Sequence, residues 1–430
     1  MAESISVNDD YRREVERLFD LQRFGMKFGL DNIRRMLKLL DAPRAGKRTV
    51  LVGGTNGKGS ITAMLAAICR VAGLRTGMFT SPHLVSFTER IQIDGERIGK
   101  DDVVKLTQRL WEVLEPYRRT GEPEPTTFFE ALTAIATRYF HEQDIDLGIV
   151  EVGLGGRLDA TNALPRELLV LSDLALDHGD VLGDTLEHVI AEKAALMQPG
   201  LLVIASGGME GAAELLIEHA GKIGAHLQLL DRNFSFAPAG ERFDLIAGER
   251  HLRDLPRPFI GKHQFRNAAT AVRAALALGI DDEQIIRQGL DEALWPGRYE
   301  TFPGQPSWLL DCAHNPAGAA MLADTITPHA PTIWLTAGMA DKDINGILSQ
   351  IAPKVDAIVC TDMAMARSLP AARLAEMAAQ FGKPVSFETD PRKAMEKAGD
   401  LAGPDGRVLA AGSIYLVGFV RGILTGEQGP

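Results

Sequence analysis

Short apolar runs alternate with longer amphipathic stretches along most of this chain. Apolar residues recur at helical spacing in 12–21 and 31–40, so the chain is expected to open with helices. From Thr49 the period changes: 49–52, 146–150, 168–174 and 201–205 read as strands, and 60–71 and 185–197 as helices. That alternation predicts parallel βαβ units with helices on both faces of a sheet. Residues 234–255 interrupt it with scattered Gly and Pro and alternating apolar positions, which predicts an antiparallel insertion or a small β element. Helices are expected at 267–278 and 282–290, and Trp295-Pro296-Gly297-Arg298 then punctuates the pattern like a hinge. Beyond it the alternation restarts, with candidate strands at 308–310, 332–336, 357–360 and 408–411. The expectation is α/β in two doubly wound domains, 1–295 and a smaller one over 296–430.

The length of 430 residues supports this division, because one hydrophobic core rarely grows that large. A formal net charge of -11 disfavours nonspecific nucleic-acid or membrane binding, both of which need a basic face. Small anionic substrates stay possible, since a few cations and helix N-termini make a site locally positive. The first ten residues are polar and acidic with no apolar segment of the secretory kind, and no apolar run approaches the length of a bilayer span. Cys69, Cys312 and Cys360 form no CxxC pair, so a reducing cytoplasmic setting is expected. With no motif suggesting an interface, a monomer is the default.

The strongest chemical signal is Gly53-Gly54-Thr55-Asn56-Gly57-Lys58-Gly59-Ser60, between an expected strand and helix. Glycines let backbone N–H groups approach phosphate oxygens, the helix N-terminus favours negative charge, and Lys58 can neutralise a phosphate. In the usual phosphate loop Ser or Thr follows the Lys directly; here Gly59 intervenes. A second cluster runs from Glu151 through Gly153, Gly155, Gly156, Arg157 and Asp159 at a strand's carboxyl end. A carboxylate there can hold Mg²⁺, a cation that prefers hard oxygen ligands. Asp177-His178 follows another expected strand, where a histidine can ligate a metal or polarise a phosphate oxygen. Lys193, on a helix, reads by itself as solvated surface. In the second half, 310–316, 337–343 and 411–415 place polar residues at three strand ends, suggesting a binding edge that faces the first domain.

These motifs, in order, resemble the folylpolyglutamate synthase and dihydrofolate synthase family within the Mur-type ligases. The resemblance rests on GTNGKGS at 54–60, TSPHL at 80–84, ERI at 89–91, TFFEALT at 127–133 and EVGLGGRLDATN at 151–162. It continues with DHGDVLGDT at 177–185, EKA at 192–194, GKHQFRNAATA at 261–271, WPGRYE at 295–300, DCAHNP at 311–316, DKD at 341–343 and GSIYL from Gly412. It implies a P-loop ATPase-like first domain and a Rossmann-like second one. It further implies ATP and Mg²⁺ as cofactors, and L-glutamate with dihydropteroate or a reduced folate as substrates. Gly57, Lys58, Gly59 and Ser60 match the segment around the ATP phosphates, and Asn267, Arg298 and Asp311 match nucleotide contacts. Ser81, Glu151 and His178 match Mg²⁺ ligands. Thr127, Phe128, Phe129 and Glu130, with Leu158, Asp159 and Ala160, resemble the segments that hold the pterin. Lys193 matches a lysine that the family carboxylates, and His314 a histidine near the reacting groups. The chain departs from the family in Ala195-Leu196, where Gly-Ile is common, and in Cys312, where a smaller residue is common. The rival reading is a Mur-type ligase for a UDP-linked cell-wall precursor, against which the 127–130 match and the GKGS ending count.

Overall fold

A computed structural model describes residues 2–24, 29–120, 126–176, 185–328, 331–365, 367–427 and 429. The first sheet comprises β1 Arg48–Gly53, β2 Thr76–Phe79, β3 Ile91–Ile93, β4 Glu96–Arg97, β5 Leu147–Glu151, β6 Leu168–Leu171, β7 Leu202–Ala205 and β8 His226–Leu229. Their spatial order is β4-β3-β2-β5-β1-β6-β7-β8. All neighbours from β2 to β8 pair in parallel, and β3 and β4 form an antiparallel edge hairpin. Because helices cover both faces, β1, β5 and β6 are near-continuous apolar runs, and a separate buried cluster lies on each side.

The 234–255 interruption is a three-stranded antiparallel sheet, β9 Phe234–Ala239, β10 Arg242–Ala247 and β11 Arg250–Pro256. The second half forms its own six-stranded sheet from β12 Glu300–Phe302, β13 Ser307–Leu310, β14 Thr332–Thr336, β16 Ala357–Thr361, β18 Val385–Glu388 and β19 Arg407–Ala410. Its order is β12-β13-β19-β14-β16-β18, parallel throughout except for β12. The short strands β15 Gly338–Met339 and β17 Ser368–Leu369 pair separately.

Several boundaries differ from expectation for local reasons. The helix expected at 60–71 starts at Lys58, because Gly57 takes a left-handed φ of 91° and turns the chain into it. The strand expected to reach Leu174 stops at Leu171; beyond it the Asp173 carbonyl receives the amides of Thr55 and Asn56 instead of continuing the ladder. The helix expected from Asn267 begins a turn earlier, at His263. Between residues 72 and 145 the sequence pattern predicted nothing, yet β2, the β3–β4 hairpin and helices Lys100–Thr120 and Phe128–Glu142 occupy it.

The two large sheets meet across the 292–299 loop. The TSPHL loop that follows β2 reaches into the second body, where Leu84 packs against the apolar cluster on the Ile414–Thr425 helix. There the Leu84 carbonyl lies 2.0 Å from where a Cβ on Gly418 would sit, so only glycine permits the approach.

Candidate active site

The carboxyl end of β1 is shaped by glycines. Gly54 has a φ of 128°, and a Cβ on it would fall 2.0 Å from Ser172 Oγ. A Cβ on Gly57 would meet Asn267 Oδ1 at 2.4 Å. The helix Lys58–Val71 starts with no side-chain cap, which leaves its first-turn amides to whatever binds in front of them. Lys58 folds its ammonium back onto the carbonyls of Gly54 (3.3 Å) and Thr55 (3.1 Å). Ser60, 1% exposed, has a buried hydroxyl with no partner. A hydroxyl left unsatisfied at this depth is costly, and a phosphate or hydrated cation would satisfy it.

Beside the loop, Glu151 ends β5 with its side chain buried. Burial pushes its carboxyl up to about 7, opposed by Lys58, the Ser81 amide (3.4 Å), Arg298 and Arg90. A carboxylate so poorly compensated, next to Ser81 and Ser60, suits a hard divalent cation that keeps part of its water shell. Among the described residues no three His, Cys, Asp or Glu side chains gather as a complete metal cage. His178, the third expected ligand, lies outside the described residues. Glu89 of the ERI motif accepts the amides of Leu84 (2.8 Å), Val85 (3.0 Å) and Ser86 (2.8 Å), and so shapes the loop that carries Ser81.

Lys193 is not solvated surface. It is 3% exposed and donates to the Gly54 carbonyl at 2.8 Å, directly behind the phosphate loop. Burial of a lysine there is possible because Gly156 lets its helix approach: a Cβ on Gly156 would fall 2.4 Å from the Glu192 carbonyl.

From the second sheet, Asp311 follows β13 and accepts the amides of Ala313 (2.9 Å) and Tyr299 (2.9 Å). Burial raises its carboxyl, and the neighbouring Arg298 guanidinium opposes the rise. His314 Nδ1 lies 2.8 Å from the Cys312 carbonyl oxygen, an acceptor, so Nδ1 carries a proton and donates to it. Asn315 donates to Asn56 Oδ1 at 3.0 Å, a direct link from the second body to the phosphate loop. Burial drives the Cys312 thiol up to about 12, so this cysteine stays a neutral packing group.

One cleft gathers Gly57, Lys58, Gly59, Ser60, Ser81, Glu151, Lys193, Asn267, Arg298, Asp311 and His314. Sequence reasoning missed His263, Gln264, Tyr299 and Met321 in its walls. The first two stand four and three residues before Asn267, on the same helical face, and that spacing was the available signal. Burial, with Arg298 and Arg257 nearby, lowers His263 to about 4, so its ring is neutral at pH 7. Of the three strand-end clusters in the second half, 337–343 turns away from the cleft; Asp341 pairs with Arg367 instead.

The expected pterin residues lie outside the cleft's walls. Thr127 and Glu130 form a capping box at the start of helix Phe128–Glu142. Phe128 stacks on Phe19 at 5.3 Å, and Phe129 stacks on Phe79 at 5.9 Å and lies against Gly153, which does line the cleft. Asp159 accepts the amides of Gly153 (3.0 Å), Leu154 (2.9 Å) and Thr161 (2.9 Å) and the Thr161 hydroxyl, so its carboxylate organises the loop. Ala160 is buried beside it and Leu158 half-buried.

Residues 297–414 match the family model of the Mur ligase glutamate ligase domain. A probable bifunctional folylpolyglutamate synthase/dihydropteroate synthase of Haloferax volcanii is 33% identical over 96% of this chain, which spans 50% of that longer relative. The dihydrofolate synthase/folylpolyglutamate synthase of Bacillus subtilis is 30% identical, over 93% of this chain and 95% of its own length. The crystal structure of the bifunctional folylpolyglutamate synthase/dihydrofolate synthase of Yersinia pestis, complexed with AMPPNP and a Mn ion, superposes with a TM-score of 0.83. It is 31% identical and covers 96% of this chain and 98% of that one. The chain belongs to the dihydrofolate synthase/folylpolyglutamate synthase family of glutamate ligases.

Proposed function

We propose that this chain joins L-glutamate to dihydropteroate and to reduced folates, using ATP and Mg²⁺, and that residues 1–295 and 296–430 act as two domains closing on the substrates. The observation that carries the reading is the single cleft into which the phosphate loop and Glu151 project from one sheet and Asp311 and His314 from the other. Family membership narrows the ligase class, and the cell-wall reading is not favoured by the relatives.

A carboxylate is a poor electrophile, so amide formation needs a leaving group. The pterin-linked carboxylate attacks the γ-phosphorus of ATP and releases ADP; the resulting acyl phosphate is attacked at carbon by the glutamate amine, and phosphate departs. Lys58 leaves the loop carbonyls for phosphate oxygens and, with the first-turn amides of Gly57 to Ser60, stabilises charge on the transferring group. Ser81 and Glu151 would hold one Mg²⁺ and His178 a second, and the bound cations would supply additional charge neutralisation. Asn267, Arg298 and Asp311 hold the nucleotide from behind the loop and from the linker. His314, its ring oriented by the Nδ1–H bond to the Cys312 carbonyl, is the second-sheet group assigned to the proton lost by the attacking amine. Lys193 supports the loop through Gly54, and carboxylation would turn that cation into an extra carboxylate near the metal. The pterin is held by 127–130 and 158–160, Phe129 being the side chain that reaches the cleft wall. Closure of the sheets excludes water, which would otherwise hydrolyse the acyl phosphate. A cytoplasmic monomer completes the proposal, and among the described residues no helix is long and apolar enough to cross a membrane.

The test is glutamate-dependent ADP release with dihydropteroate and with tetrahydrofolate as acceptors. Turnover with both is expected. Turnover with one alone removes half of the proposal, and turnover only with a UDP-linked muramoyl acceptor overturns the folate reading.

A further inference from the structure

The Gly59 that stands where other phosphate loops carry a hydroxyl residue has a visible cause. A Cβ on it would lie 2.6 Å from Cζ2, 2.7 Å from Cε2 and 2.8 Å from Nε1 of Trp295. The indole therefore lies on the first turn of the phosphate-binding helix, in the space that a side chain would need. Trp295 packs against the first sheet's core, but belongs to the linker into the second sheet. Two residues on, Gly297 has a φ of 73°, and a Cβ there would fall 2.7 Å from Cys312 Sγ and 3.0 Å from Leu84 Cδ1. Leu84 in turn belongs to the loop that carries Ser81, and it packs in the second body's core. The linker is thus wedged between the phosphate loop on one side and the Ser81 loop and Asp311-Cys312 strand end on the other. Arg298 and Tyr299, which face Asp311, follow directly.

We propose that Trp295 is a positioning residue: its indole, seated on Gly59, relays nucleotide occupancy of the phosphate loop to the linker that sets Arg298 and Asp311. Gly59 is the matching half of the contact, kept bare so that the indole can sit there. The Ser60 hydroxyl, one residue later, is buried without a partner, whereas that of Thr55 is bonded to the Ala175 carbonyl. The relay rests on nucleotide binding at this loop, so its test measures binding separately.

The experiment follows tryptophan fluorescence of the full chain while Mg-ADP is added, with bound ADP measured in parallel by equilibrium dialysis. A spectral change that tracks binding is expected, and Trp295→Phe should lose it while binding ADP within about threefold of the parent. No bound ADP would overturn both the nucleotide reading and the relay. Bound ADP with no spectral change, or with the same change in W295F, overturns the relay alone. For turnover, W295A should lower kcat about tenfold with little change in ADP affinity, and W295F should restore most of it. Gly59→Ala should lower kcat at least about tenfold, and the G59A/W295A pair should turn over faster than G59A alone, because the clash is gone. Simple multiplication of the two single losses overturns the proposal. Should G59A fail to fold, the fluorescence and W295A measurements decide it.

Discussion

The two glycine-rich loops of the first sheet are built from similar residues and do opposite things. The loop after β5 closes on itself: Asp159 collects the amides of Gly153, Leu154 and Thr161 and the Thr161 hydroxyl. The loop after β1 stays open toward the cleft, with an uncapped helix start and the Ser60 hydroxyl unpartnered. Glycine content therefore does not mark a binding loop. What separates the two is whether the chain supplies its own acceptor. A loop that carries its anion internally is a brace, and one that lacks it awaits an anion from outside.

Removing the cation from the open loop should give the largest functional loss. Lys58→Ala is expected to lower turnover about 10³-fold while the thermal midpoint moves by no more than about 2 °C. Glutamate-dependent ADP release and a melting curve check this, and near-normal turnover would remove Lys58 from the chemistry. The closed loop should respond the other way round. Asp159→Ala strips one acceptor from four donors in a buried turn and should cost about 3 kcal/mol of unfolding free energy in denaturant titrations. A stability loss below about 1 kcal/mol would show that the loop does not depend on Asp159 for its shape, leaving this residue only its proposed part in holding the pterin.

The same contrast explains what could be read from the chain beforehand. β1, β5, β6, β14, β16 and β19 were legible because strands buried on both faces are uninterrupted apolar runs. The phosphate loop was legible because Gly and Lys at a strand-to-helix junction carry their mechanism in local sequence. Lys193 was not: its burial against Gly54 depends on Gly156, far away in the chain, allowing two backbones to touch. That Asp311 and His314 face the first domain was legible from their place at a strand's carboxyl end; their roles beside Glu151 came through the family resemblance, since no local pattern states how closely two sheets approach each other. The 337–343 cluster shows the converse. A polar strand end looked like cleft wall, and its Asp341 is spent on Arg367.

Glu151 gives a pH test of the open side. In the metal-free protein its carboxyl is raised from 4.5 to about 7, chiefly by burial. Because the folded protein holds that proton more tightly than the unfolded chain, the associated stability is full below pH 4.5 and is lost as the pH rises through about 7. The loss, relative to Glu151→Gln, should reach about 3 kcal/mol across that window, and saturating Mg²⁺ should reduce it. Denaturant titrations of both proteins between those pH values, with and without Mg²⁺, give the difference. Parallel curves would show that Glu151 is already compensated and in no need of a cation.

The smallest effect expected is at Ser60, and it sharpens the comparison most. Its hydroxyl is buried without a partner, so Ser60→Ala removes a desolvation cost rather than a bond. Stability should hold or rise by up to about 1 kcal/mol, whereas Thr161→Ala in the closed loop should lose about that much, because its hydroxyl donates to Asp159. Nucleotide binding should separate them in the opposite sense. Ser60→Ala is expected to weaken Mg-ADP by about tenfold and Thr161→Ala to leave it unchanged. Calorimetric binding of Mg-ADP alongside denaturant titration measures both. If the two hydroxyls behave alike in both assays, the distinction between an open loop and a self-satisfied one fails at the level of single atoms.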